Sequence, residues 1–128
     1  MSGIARSLAL CSASLFAVAA GPAPGDAQRG YAVVIRQTST CTLCHAGPFS
    51  NPHLQGTIGP DLHGVGARLD ADAIRARLVD ASELNPDTVM PSFGTVGGRT
   101  RVGAPWQGKP ILTPQEIEDA TAYLAGLK

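Results

Sequence analysis

Cys41-Thr42-Leu43-Cys44-His45 has the spacing C-x-x-C-H. On one helical turn, two cysteines three positions apart point the same way. A histidine directly after them can swing its imidazole beneath whatever the thiols have tethered. The chemistry that uses this arrangement is covalent haem attachment, with the histidine as an axial ligand to iron. Two rivals use the same cysteine pair. A zinc site needs two more soft ligands at matching spacing, but outside the motif the chain has no second cysteine pair and only His53 and His63. A thioredoxin-like dithiol wants a βαβ setting, and no apolar β-branched run of strand length lies upstream to supply one. The spacing therefore favours one haem held through Cys41 and Cys44, with His45 on the iron.

Upstream of the motif, Ala32, Val33, Val34 and Ile35 give Gln28 to Thr40 a loose helical apolar face. Their β-branched content would also permit a strand; helix is preferred because the motif needs one. The chain start reads as an export leader. Arg6 supplies the positive region, Ser7 to Ala20 is apolar and small, and the run is too short for a comfortable membrane span. Ala17-Val18-Ala19 and Gly25-Asp26-Ala27 are two candidate cleavage sites. The expected organisation is a cleaved signal peptide, 1–27, and one domain, 28–128, exported to the periplasm and free of a membrane span once mature. An uncleaved anchor is the alternative, and Gly21 to Gly25 would break such a helix. Cys11 leaves with the leader, so Cys41 and Cys44 are the only mature cysteines and no structural disulfide competes with them. About 100 residues make a small core, which a covalent haem would help to fill. Ten basic residues balance ten acidic ones, and nothing in that balance points to nucleic acid.

Downstream, Ala46 to Thr57 is rich in Gly, Pro, Ser and Asn and reads as loop. Ile58-Gly59-Pro60-Asp61-Leu62-His63-Gly64 follows. A Gly-Pro turn exposes a carbonyl suited to accept from the second ring nitrogen of a ligating histidine, a bond that fixes the tautomer. Asp70 to Ser82 is expected to be a helix capped by Asp70, with Ile74 and Leu78 toward the core and Arg75 and Arg77 solvated. Glu83 to Phe93 reads as an extended loop.

Met90 sits in that loop between Pro86 and Pro91, and Met1 is the only other methionine. Flanking prolines restrict the backbone and can hold one sulfur in a fixed place. A methionine can also simply fill a core gap. With a haem present, Met90 is the favoured sixth ligand, with His63 and His53 as competitors.

Gly94 to Lys109 carries Arg99, Arg101, Lys109 and Trp106, with no acid between Asp87 and Glu116. It is either a solvated loop with Trp106 tucked inward or a docking surface. Thr113-Pro114-Gln115-Glu116 starts a last helix with a capping box. Its stripe is Ile117, Ala120, Leu124 and Leu127, with small Ala120 allowing close approach to the first helix.

C-x-x-C-H followed by G-P-x-L-H-G resembles the class I cytochromes c. That resemblance implies an all-α fold, a few helices and long loops around one covalent haem c, and a Pro60 carbonyl that accepts from His45. Further segments, in order, are Gln55-Gly56-Thr57-Ile58-Gly59-Pro60, Ile74-Arg75-Ala76-Arg77, Asn85 to Pro91 and Gly108 to Thr113. Together they resemble the SoxX family, over essentially the whole mature chain. The resemblance implies Cys41 and Cys44 as attachment points and His45 and Met90 as axial ligands. It also implies a SoxA-like cytochrome partner carrying the bond-making cysteine. The reaction of that complex joins thiosulfate oxidatively to a cysteine of a SoxY-type carrier protein, and electrons leave to a downstream cytochrome c. This chain would have no catalytic nucleophile of its own. A free-standing soluble electron shuttle and a gas sensor with a displaceable Met90 are the competing readings.

Overall fold

The computed structural model describes residues 21–128. The apolar run of the expected leader, its first cleavage site and Cys11 lie outside the described residues. Among the described residues five α-helices follow in order: α1 Ala27–Ile35, α2 Cys41–Cys44, α3 Val65–Arg68, α4 Ala71–Asp80 and α5 Pro114–Gly126. Single 3-10 turns occur at Pro52–Leu54, Ala81–Glu83 and Ala104–Trp106, and no strand occurs among the described residues. The all-α expectation holds.

The expected first helix is divided. α1 ends at Ile35, where Arg36 turns extended. Ser39 then folds back, its hydroxyl donating to the carbonyls of Val33 and Arg36 and its N–H to Arg36. Thr40 has φ +58°, so α2 starts afresh at Cys41. The reason is local: a β-branched run is stiff in a helix, and a serine hydroxyl competes for backbone groups. Val33 and Val34 are buried, while Ala32 faces solvent, contrary to expectation.

α5 is the frame. Thr113 caps it, accepting from the Glu116 N–H, while the Glu116 carboxylate accepts from the Thr113 N–H at 2.8 Å. Ile117, Ala120 and Leu124 are buried, and Ile74 and Leu78 of α4 join them in one core. Each of the isoleucine and leucine side chains contributes about 1.5–3 kcal/mol by burial.

α1 crosses α5 so closely that a Cβ on Gly30 would lie 1.9 Å from the Asp119 carbonyl oxygen. The close approach assigned to Ala120 is thus made chiefly by Gly30. Asp119 itself is buried at 3% exposure. It accepts two bonds from the Arg29 guanidinium, both 2.8 Å, and one from the Asp26 N–H at 2.9 Å. These donors, Arg29 first, hold its carboxyl well below the usual carboxylate range. Arg75, expected to be solvated, instead bridges α4 to α5 through Glu118 at 2.7 and 2.9 Å.

Candidate functional site

His45 ends α2 in an extended conformation, with its N–H on the Cys41 carbonyl at 2.9 Å. The chain then loops out and returns alongside the motif. Gly56 donates to Thr42 at 2.9 Å, Gly59 to Cys44 at 2.7 Å and Leu62 to Ala46 at 2.8 Å. This ladder brings Pro60 to the histidine: His45 Nδ1 lies 2.6 Å from the Pro60 carbonyl oxygen. A carbonyl only accepts, so Nδ1 carries the proton and the Nε2 lone pair is left for a metal. Gly59 makes the approach possible. A Cβ there would sit 2.4 Å from His45 Cε1 and 2.6 Å from Nδ1.

Cys41 and Cys44 are free and half-buried. The Cys41 thiol points to the Ser39 carbonyl at 3.8 Å, and burial pushes its pKa up. The long loop after His45 is tied to itself: Gly47 donates to the Gln55 side chain at 2.8 Å, and that side chain donates to the Phe49 carbonyl at 3.1 Å. Phe49 is buried, its ring 6.4 Å from that of Tyr123.

His53 is exposed on a 3-10 turn. His63 Nδ1 lies 2.6 Å from Asp61, whose carboxyl is held low by the His63 N–H and then by its ring. Arg68 fastens this turn with bonds of 2.6 Å to the carbonyls of His63 and Asp61. Among the described residues no three His, Cys, Asp or Glu side chains gather as a metal-ion cluster. The second half of a zinc site is therefore missing there.

Met90 is half-buried and packs against the core, as Cys41 does. Its N–H donates to Thr88 Oγ1 at 3.2 Å. Beyond it the chain is strapped to α4: Phe93 donates to the Leu78 carbonyl at 3.1 Å and Gly94 to Val79 at 3.0 Å. Leu112 in turn donates to Phe93 at 3.0 Å.

Two residues with no motif hold the same segment. Asp80, the last residue of α4, accepts from the hydroxyls of Ser82 at 2.5 Å, Ser92 at 2.6 Å and Thr95 at 3.0 Å. Its pKa is lowered to about 2, by the Ser82 hydroxyl first and the Ser92 hydroxyl next. The Arg99 guanidinium donates to the carbonyls of Ser92 at 2.6 Å, Lys109 at 3.0 Å and Thr95. Arg99 belongs to the basic loop, but its half-buried guanidinium is engaged by the chain's own carbonyls. Arg101 and Lys109 remain exposed. Trp106, 43% exposed, lines a cavity of about 400 Å³ with Thr38, Arg99, Val102, Gly103 and Ile111. Neither His45 nor Met90 borders that cavity.

The donor set suits a covalently held haem: two free thiols at C-x-x-C spacing and an imidazole whose Nε2 is made available by its carbonyl partner. The comparisons agree. The cytochrome c family profile matches residues 27–128. A chain of the crystal structure of SoxXA from P. pantotrophus superposes with a TM-score of 0.74 at 34% identity, covering 83% of this chain and 84% of that one. No curated protein matches the chain.

Proposed function

Because the chain belongs to the cytochrome c family, as a SoxX-like member, we propose that it is the electron-accepting haem c subunit of a heteromeric periplasmic complex. That complex couples thiosulfate oxidatively to a cysteine of a SoxY-type carrier protein, as an L-cysteine S-thiosulfotransferase. The observation that carries this reading is the 34% identity to a SoxXA chain across more than four fifths of both chains.

Haem c supplies reversible one-electron chemistry at an iron. The chain's own residues fix how that chemistry is used. Cys41 and Cys44 would hold the group through thioether links. His45, with its Nδ1 proton engaged by Pro60 at 2.6 Å, would hold the iron through Nε2. Met90 would hold it through its sulfur, a ligand that raises the reduction potential relative to a second imidazole. With His45 and Met90 both engaged, the chain would leave no place on the iron for substrate, so this subunit would handle electrons and not bonds. Its two described cysteines, both free, would be taken up in attachment, and the bond-making cysteine is assigned to a SoxA-like partner.

An apolar rim supports docking of that partner. Leu43, Leu54 and Ile58 are 64%, 74% and 74% exposed, and the Gly56–Thr42 hydrogen bond brings their segments side by side. From the complex, electrons pass to a downstream cytochrome c. No helix among the described residues is long and apolar enough to cross a membrane.

Purification from the native host during growth on thiosulfate tests the proposal. The expected product is a stable heterodimer with a second haem polypeptide. Elution as a lone cytochrome would remove the enzymatic role and leave a free electron shuttle. Reduced protein is expected not to bind carbon monoxide readily, because Met90 stays on the iron.

A further inference from the structure

We propose that Asp80, Ser92 and Arg99 form a clasp that positions the Met90 sulfur. The inference rests on the reading of Met90 as an axial ligand. Upstream, Met90 is restrained weakly: Glu83 to Asp87 is exposed, and one 3.2 Å bond to Thr88 is the nearest tie. Downstream, Ser92 is gripped from two sides. Its hydroxyl donates to the Asp80 carboxylate at 2.6 Å, and its carbonyl accepts from the Arg99 guanidinium at 2.6 Å. Only Pro91 lies between Ser92 and Met90, and a proline fixes its φ. A shift of Ser92 therefore passes to Met90 with little loss. Both grips are charge-assisted hydrogen bonds, stronger than neutral ones. Thr95 doubles each, through its hydroxyl to Asp80 at 3.0 Å and its carbonyl to Arg99. Asp80 also joins the clasp to the end of α4, whose Ile74 and Leu78 are core residues.

The test uses haem-loaded full-length protein carrying Ser92→Ala, Asp80→Asn, Ser92→Thr or Met90→Ala. Two readouts report the sulfur–iron bond: the far-red absorption, and the pH at which alkali displaces the ligand. Ser92→Ala and Asp80→Asn are expected to lower that pH by about one unit, a tenfold change in proton activity. They should weaken the far-red band while the helical circular dichroism stays at its wild-type value. Ser92→Thr keeps a hydroxyl and should restore both signals. Wild-type behaviour of Ser92→Ala overturns the clasp, and Ser92→Ala decides the matter if Asp80→Asn fails to fold. A far-red band that survives Met90→Ala overturns the ligand reading itself, and the clasp with it.

A different observation carries a second inference. We infer that export processing cuts after Ala17-Val18-Ala19 and spares residues 23–26. Those residues are built into the fold. Ala23 exchanges hydrogen bonds with the Gln115 side chain at 2.7 and 3.2 Å. Gly25 lies flat on α5, where a Cβ would meet the Glu118 carbonyl oxygen at 2.1 Å. Asp26 caps α1 through Arg29 N–H at 2.8 Å, gives its own N–H to buried Asp119 and accepts from Gly30 at 2.9 Å. A cut after Ala27 would delete all of these. It would also place a new ammonium at the positive end of α1, beside Arg29. N-terminal sequencing of the exported protein made from the full-length gene is expected to read Ala20 first. A start at Gln28, or an intact Met1, overturns the inference whether or not haem is bound.

Discussion

Around His45 the chain is held by backbone paired with backbone: Gly56, Gly59 and Leu62 donate to three carbonyls of the motif and its first loop residue. Around Met90 the backbone ties of Phe93 and Gly94 to α4 are joined by side chains, with one carboxylate, one guanidinium and two hydroxyls holding the segment from outside. Backbone pairing asks little of residue identity except where the approach is tight, and there it demands glycine or proline. Side-chain clasping demands particular residues at scattered positions. One region therefore writes itself into a compact motif and the other does not.

The hardest blow to that contrast is Gly59→Ala. A methyl group 2.4 Å from the His45 ring must push the ring off Pro60 or lift the returning strand of chain. Overpacking of this kind costs about 1–3 kcal/mol. Here the cost falls on the proposed ligand His45, so low-spin haem protein should drop about tenfold, read from visible spectra against total polypeptide.

Asp119→Ala should strike both regions alike, because it loosens the α1–α5 frame beneath them. Loss of its charged hydrogen bonds is expected to destabilise the fold by about 2 kcal/mol, measured by urea unfolding, with the far-red band unchanged in the native state.

Acid should separate the regions more finely. Asp119 and Asp80 both have folded pKa values below their unfolded values, Asp80 at about 2. Such groups contribute their full stability above about pH 4, and it is lost as the pH falls through the folded values. The backbone bonds that set Pro60 against His45 do not titrate, and the nearest carboxylate, Asp61, holds the His63 turn instead. The Met90 spectral signature should therefore fade at a higher pH than the His45 one during acid titration. Replacing Asp80 by Asn should remove that difference.

The smallest effect is expected from Glu118→Gln. Its partner Arg75 is 35% exposed, and a half-exposed pair contributes less than about 1 kcal/mol, measurable as a shift in urea midpoint.

Legibility follows the same division. C-x-x-C-H and Gly59-Pro60 could be read because each encodes a local geometric demand. The capping box at Thr113 and the Asp70 cap were legible for the same reason. Asp119 escaped notice because a carboxylate beside an apolar stripe reads as solvated; its partner Arg29 is 90 positions away. Asp80 and Arg99 escaped because a helix-end acid and a loop arginine are ordinary surface residues until the chain is folded. Arg75 was misread on the same ground.

By itself the sequence determined the haem-attachment chemistry, the helical class and the family, since these rest on residues within a few positions of one another. Tertiary structure alone decided that Gly30 lets α1 press onto α5 and that Arg99 ties loop carbonyls of the same segment together. It also decided that a carboxylate at the end of α4 anchors the methionine loop. Each of those depends on distances between groups far apart in the chain, and no pattern along the chain records them.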